Sequence, residues 1–189
     1  KLEKVWNSYS TNTKANVGAN NGKKYSIEDK VFIKNSNLQI NKEKKINYNP
    51  SSDNLIRVIK GTNFDFFSSE AQNFFFKKEF SVTKLVDRMG IRLSGYKLEN
   101  TVSTNIKSEG LVRGVIQVPA DGNPIIMLSD HGTIGGYPKI AVVISADLDR
   151  VGQFTPGSTI SFKEVSLEEA QNIFKAYTDE TNKYLNECD

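Results

Sequence analysis

A mainly-β chain of the α+β kind, its strands closing into a small barrel or sandwich, is what this sequence predicts. Three observations predict it. From residue 54 onward, short β-branched and aromatic runs recur at intervals of about 8–12 residues. Gly, Pro, Asn and Asp signals separate them. Few segments carry the spacing of an amphipathic helix.

The elements follow in order. Residues 1–52 are polar, with "NVGANNGKK" a turn-rich loop and "DKVFIK" and "LQINKEK" short strand candidates that could scarcely form a core alone. "LIRVIKG" then reads as a strand. "SSEAQNFFFKK" follows with a serine cap and bunched apolar residues, which predicts a short helix. "FSVTKLVD" and "GIRLSG" read as strands paired around a turn, and "LVRGVIQV" as a strand stopped by the turn "PADGNP". "IIMLS" and "IAVVISA" are strands, "DLDRVGQF" is a helical turn, and "TPGSTISFKEV" is a turn with a last strand. The tail carries a capping box, Ser166 with Glu169, and apolar residues Leu167, Ala170, Ile173, Phe174 and Tyr177, which predicts an amphipathic helix.

Composition excludes several classes of function. With 38% hydrophobic and 25% charged residues the chain is globular rather than disordered throughout. A net charge of +3, without clustered arginines and aromatics, argues against a nucleic-acid groove. One cysteine, Cys188, forms no internal disulfide, and one histidine, His131, builds no multi-histidine metal site. The longest apolar runs, such as "IAVVI", fall short of the roughly 20 residues of a membrane helix, so neither membrane nor nucleic acid is an expected partner. A cytoplasmic location is the expectation. The polar opening at Lys1, with no methionine, reads as a truncation.

The stretch "SDHGTIGGYPKI" concentrates the chemistry. Asp130 and Lys139 flank a loop between two strands, where the strand ends could hold them near one another. Gly132, Gly135 and Gly136 permit positive φ and close approach of a ligand to backbone N–H groups; a glycine-rich connection is the competing reading. The spacing is no phosphate loop. His131 is a candidate general base, and a triad made of Ser129, Asp130 and His131 is opposed by the alternation of strand neighbours. Arg88 and Arg92 could clamp a carboxylate and Gln117 could hold an amide, or each could be a salt bridge or turn cap, as could the polar turn "SEG".

The ordered motifs "DRMG", "SEG", "QVPADG" and "GGYPK" resemble the second half of the allophanate hydrolase subunit 2 family. That family includes KipA and the C subunit of 5-oxoprolinase, and it is similar to part of the carboxyltransferase domain of urea carboxylase. The resemblance implies cyclophilin-like β-barrels. Residues 53–165 would form the second barrel with a short internal helix, 166–189 a C-terminal helix, and 1–52 a remnant of the first barrel and linker. It implies as partners a KipI-like B subunit, together with an A subunit, in ATP-dependent cleavage of 5-oxoproline to glutamate, or related amide or carboxyl transfer. ATP would sit on a partner subunit, biotin enters only by analogy with urea carboxylase, and this chain would bind no cofactor. Two alternatives stay open: a KipA-like regulatory protein that antagonises a KipI-type kinase inhibitor, and an inactive truncated vestige.

Carried onto this chain, the resemblance makes Asp130 and Lys139 catalytic. It makes Tyr137, Gln117, Pro124, Arg88, Gly135 and Gly136 substrate-binding, for a small amide or carboxylate. Lys139 or backbone N–H groups would stabilise an oxyanion, Asp130 would hold an amide N–H or move a proton, and Arg88 would anchor a carboxylate or act structurally. Two departures are that Gly132 stands where many relatives have glutamine and Ile134 where threonine is common. An unpaired barrel edge adds the expectation of self-association into a homo-oligomer.

Overall fold

The computed structural model describes residues 4–31 and 53–186. The chain divides into two compact units, Lys1–Lys45 and Ile46–Asp189. In the first, β1 (Thr11–Asn12) and β2 (Val17–Gly18) form an antiparallel hairpin. The Asn12 side-chain oxygen accepts the N–H groups of Lys14 and Ala15, both at 3.1 Å, and so satisfies the turn. Val31 and its neighbours Asp29 and Lys30 carry no strand, and the rest of "DKVFIK", all of "LQINKEK" and Cys188 lie outside the described residues.

The second unit is a closed barrel of seven strands. They are β3 (Leu55–Lys60), β4 (Phe80–Val86), β5 (Gly90–Ser94), β7 (Val115–Gln117), β8 (Ile125–Met127), β10 (Lys139–Val143) and β11 (Thr159–Glu164). Two very short strands, β6 (Glu109–Gly110) and β9 (Ile134–Gly135), form a separate ribbon. The barrel order is β10-β3-β11-β4-β5-β8-β7, with β7 paired back to β10. Every pairing is antiparallel except β3 with β11. Closure removes the open barrel edge on which the expectation of self-association rested, since edges are what seek partners.

Alternation decides which face of each strand is inside. Ile56, Val58, Phe80, Ile91, Leu93, Ile116, Ile126 and Ile160 are fully or almost fully buried, while the residues between them face outward. The helix α1 (Ser69–Lys77) starts where the serine predicts: Ser68 accepts the Ala71 N–H at 3.1 Å. Its Phe75 stacks on Phe162 of β11 with ring centroids 4.5 Å apart, so the helix joins the barrel core. After the single turn α2 (Leu148–Val151) and β11, the helix α3 (Leu167–Asn186) opens with both halves of its capping box. Glu169 N–H donates to Ser166 Oγ at 3.1 Å, and Ser166 N–H to Glu169 Oε2 at 2.7 Å. Ala170, Ile173 and Tyr177 then pack on Ile144, Ala146 and Val165 in a satellite core.

Two elements differ from expectation. "LVRGVIQV" yields strand only from Val115, because Gly114 sits at φ +90° and the Val115 N–H closes a turn on the Val112 carbonyl at 3.2 Å. The positive φ is what makes the turn need glycine; a Cβ there would also stand 2.8 Å from Leu148 Cδ2, a side-chain end that can shift, and 3.1 Å from the Val143 carbonyl oxygen. "SEG" is a strand rather than a turn: Glu109 pairs with Gly135 and Gly110 with Ile134.

The deepest polar group is Asp147, fully buried beside α2. It accepts the Arg57 backbone N–H at 2.8 Å and Arg57 Nε at 3.0 Å, with Arg150 Nη1 at 3.4 Å. That hydrogen bonding raises the Arg57 guanidinium above its ordinary value, against the lowering effect of its partial burial.

Candidate functional site

Antiparallel register places one outward-facing row across four strands: Arg92 opposite Ile125, Ile125 opposite Gln117, and Gln117 opposite Lys139. The row lies on the face opposite Ile91, Ile126 and Ile116, so its polar members sit on the outside of the barrel wall. Gln117 and Lys139 are nonetheless buried, at 3% and 5% exposure. The β6–β9 ribbon covers them. A Cβ on Gly135 would stand 2.7 Å from Gln117 Nε2 and 2.9 Å from Leu111 Cδ1, which shows how closely this ribbon rests on the wall.

Lys139 is fixed at both ends. Its backbone N–H donates to Asn63 Oδ1 at 3.1 Å, and its carbonyl accepts the Asn63 N–H at 3.2 Å. The carbonyl lies so close to Gly61 that a Cβ there would approach it to 2.3 Å. The ammonium donates to Glu109 Oε2 of β6, and this pair is one-sided: the lysine side chain is 6% exposed and the glutamate 48%. Gln117 Nε2 donates to the Tyr137 carbonyl at 3.1 Å, which ties the Tyr-Pro-Lys segment to β7 while the Tyr137 ring stays exposed.

Gly135 and Gly136 lie in close contact with neighbouring segments, whereas a Cβ at Gly132 would meet only the Ile134 carbonyl oxygen, at 3.4 Å. None of Gly132, Gly135 and Gly136 has positive φ. Gly136 is crossed closely by the 106–108 segment: the Ile106 N–H donates to its carbonyl at 2.9 Å, and a Cβ would meet the Ile106 carbonyl at 3.0 Å. The positive φ that these glycines permit is therefore not used, and at Gly135 and Gly136 their small size admits the close passage of neighbouring segments.

Arg88 and Asp130 form a second group. Arg88, in the β4–β5 turn, grips Asp130 with two hydrogen bonds of 2.6 and 3.0 Å, and the Asp130 N–H donates to the Arg88 carbonyl at 2.8 Å. The Arg88 hydrogen bond holds the Asp130 carboxyl below its ordinary range, so it is an ionised acceptor. Asp130 follows β8 and Lys139 opens β10, with β7 between them, and no contact joins the two side chains. Pro124 is buried at the start of β8, where its carbonyl accepts the Leu93 N–H at 2.8 Å; it stands beside Ile125, the partner of Gln117.

The structure therefore brings Gln117, Tyr137, Lys139, Gly135 and Gly136 together, and Arg88 with Asp130 separately. Sequence reasoning missed Asn63 and the pairing role of Glu109. "SEG" drew notice to Glu109 only as a turn; Asn63 sits in "KGTNF", whose Gly and Asn signal a bend but not a clamp. Among the described residues no group of three or more His, Cys, Asp and Glu could hold a metal ion, and no helix is long and apolar enough to cross a membrane.

Comparison with known proteins adds a second line. Residues 1–164 match the family model described as carboxyltransferase domain, subdomain A and B. The chain is 34% identical over 189 residues to the C subunit of 5-oxoprolinase from Haemophilus influenzae, covering 98% of this chain and 60% of that protein. It is 34% identical over 169 residues to the corresponding 5-oxoprolinase C subunit of Escherichia coli, covering 88% of this chain and 53% of that one. The crystal structure of Kluyveromyces lactis urea carboxylase superposes with a TM-score of 0.78 at 25% identity, over 97% of this chain and 18% of that one. The chain thus spans between half and two thirds of the 5-oxoprolinase subunits it matches.

Proposed function

The chain belongs to the carboxyltransferase domain family, subdomain A and B, and on that premise we propose that it is part of a component like the C subunit of 5-oxoprolinase. That component works with the A and B subunits of such an assembly on a small amide or carboxylate, in ATP-dependent cleavage of 5-oxoproline or closely related amide chemistry. The kinship with the 5-oxoprolinase C subunit over nearly the whole chain supports this reading. One observation carries it to particular residues: a lysine buried on the outer barrel wall, clamped through its backbone by Asn63 and held through its ammonium by Glu109. A cation so restricted loses little freedom on meeting an oxyanion, which is how preorganised charge lowers a barrier.

In this reading Lys139 stabilises negative charge on a carbonyl oxygen, and the substrate approaches from the half-exposed Glu109 side. Asp130, kept ionised by Arg88, suits accepting an amide N–H and not donating a proton. ATP belongs to a partner subunit, because this chain contains no phosphate loop.

The test is Lys139→Ala in the complete assembly, with ATP-dependent 5-oxoproline turnover as the readout and thermal unfolding as the folding check. Turnover is expected to fall about 10²–10³-fold, the usual loss when one oxyanion-stabilising group is removed. Unchanged turnover removes Lys139 from the chemistry. Full turnover without the chain, together with tight binding to the B subunit, would favour the regulatory reading.

A further inference from the structure

Inward and outward side chains alternate along a strand, and Val143 and Ala141 of β10 both belong to the barrel core. Unbroken alternation would put Lys139 on that same inner face, its charge among apolar side chains. A bulge prevents it. Val142 lies opposite Val115 and Ala141 opposite Ile116, but the next pair is Lys139 with Gln117, so Ile140 is an extra residue in β10. Ile140 and Ala141 are both fully buried in the core, and Lys139 emerges on the outer face beside Gln117. One additional residue thus decides which side of the wall the ammonium occupies.

On its other side β10 runs past the end of its partner. β3 stops at Lys60, which lies opposite Ala141, and Gly61 N–H makes the next bond, to the Ile140 carbonyl at 2.9 Å. Asn63 then stands in for the missing strand. Its Oδ1 accepts the Lys139 N–H at 3.1 Å, and its own N–H donates to the Lys139 carbonyl at 3.2 Å. Asn63 immediately precedes a single 3₁₀ turn, Phe64–Phe66, a place where an asparagine side chain ordinarily caps the turn that follows. It makes no such cap here. At 6% exposure, its side-chain oxygen is committed instead to a residue 76 positions away, next to the bulge.

We propose that Asn63 is a positioning residue: it holds the bulge at Ile140 and Ala141, and through it keeps the Lys139 ammonium on the outer wall against Glu109. Without the Asn63 oxygen the Lys139 N–H becomes a buried donor with no acceptor, a state that native chains avoid. Slipping into regular alternation offers no relief, because it would carry the ammonium into the core. The segment opens to water instead. The placement of Lys139 is independent of its chemistry; only the effect on turnover rests on the oxyanion role given to Lys139 above.

Two measurements keep placement and chemistry apart. In the 189-residue chain, lysines are methylated with formaldehyde and a borohydride, and the rate at each is read by peptide mass spectrometry. Parent Lys139, its side chain 6% exposed, should react more slowly than exposed Lys175 on α3. Asn63→Ala should speed Lys139 about tenfold, the equivalent of one hydrogen bond, and leave Lys175 unchanged. Asn63→Asp, which keeps an acceptor in place, should stay near the parent rate. Circular dichroism checks folding, and Asn63→Ser, one bond shorter, replaces the alanine variant if that chain does not fold. In the complete assembly, Asn63→Ala should lower ATP-dependent 5-oxoproline turnover about tenfold, yet cause no further loss in a Lys139→Ala chain, where there is no ammonium left to position. A Lys139 that stays protected in Asn63→Ala, or an aspartate variant as reactive as the alanine one, overturns the placement. An equal turnover loss in both backgrounds overturns the positioning role and leaves Asn63 structural. If Lys139→Ala alone leaves turnover intact, the oxyanion role fails, while the labelling rates still decide whether Asn63 holds the bulge.

Discussion

The barrel contains two aspartate–arginine forks made of the same groups and used in opposite ways. Asp147 grips Arg57 from a fully buried position, and its carboxylate also receives a backbone N–H and a second arginine. Asp130 grips Arg88 between two loops, with 48% and 79% of the side chains exposed. Burial makes the first fork a part of the fold, because removing either partner strands a charge away from water. Exposure leaves the second free to exchange partners with solvent or a ligand at little cost. Lys139–Glu109 stands between them, sealed on the lysine side and open on the glutamate side. Cover, more than chemical type, separates the structural polar pairs from those a substrate could reach.

Breaking the buried fork should have the largest effect. Asp147→Ala leaves Arg57 and Arg150 without their shared carboxylate and is expected to destabilise the barrel by about 3 kcal/mol, the low end for a buried pair. The low end applies because Arg57 keeps 31% of its side-chain surface in water. Urea unfolding checks it, and a loss no larger than that of an ordinary surface substitution would show that the fork is not holding β3 to α2. The intermediate pair is probed through the ribbon above it. Gly135→Ala puts a methyl 2.7 Å from Gln117 Nε2 and 2.9 Å from Leu111 Cδ1, both ends of side chains that can shift. A cost of about 1 kcal/mol is expected, at the mild end of overpacking, together with a lowered turnover if the ribbon holds Lys139 in place. A Gly135→Ala chain with wild-type stability and turnover would mean the ribbon rests on the wall without positioning it.

How much of this was legible in the sequence depended on the range of the interaction. Ser68 as the cap of α1, Ser166 with Glu169 at α3 and the β4–β5 pair are local, and spacing alone reveals them. The mainly-β class, with an internal and a C-terminal helix, follows from the same local signals, which leave barrel and sandwich open; the barrel follows only from the family resemblance. The β6–β9 ribbon does not, because strands of two residues have no periodicity and Glu109 meets Gly135 across a long stretch of chain. Asn63 and Asp147 were equally silent: each looks like a turn residue until β10 or β3 is folded against it. The gathering of Gln117, Tyr137 and Lys139 was suggested by motif order, whereas the separation of Asp130 from Lys139 comes from β7 lying between their strands. Spacing cannot convey that insertion, since strand order in a barrel is set by long-range pairing.

The exposed fork should give the smallest stability effect and the clearest pH signature. Because Arg88 and Asp130 are open to water, Arg88→Ala is expected to leave the unfolding midpoint unchanged within error. Its effect lies in the titration of Asp130. The Arg88 hydrogen bond depresses the carboxyl below the ordinary aspartate value of 3.8. A depressed folded-state pKa means that whatever the pair contributes is fully present above that ordinary value and is lost only as pH falls through the lower one. Following the Asp130 side-chain carboxyl carbon by NMR should therefore show a midpoint below 3.8 in the parent chain and a rise towards it in Arg88→Ala. High salt should shrink the difference by screening the attraction, though less than it would for a pair lacking the two short hydrogen bonds. An Asp130 midpoint that ignores both the substitution and salt would mean the fork does not persist in solution. The carboxylate would then be free rather than held, and its assignment as a positioned acceptor for a substrate N–H would lose its support.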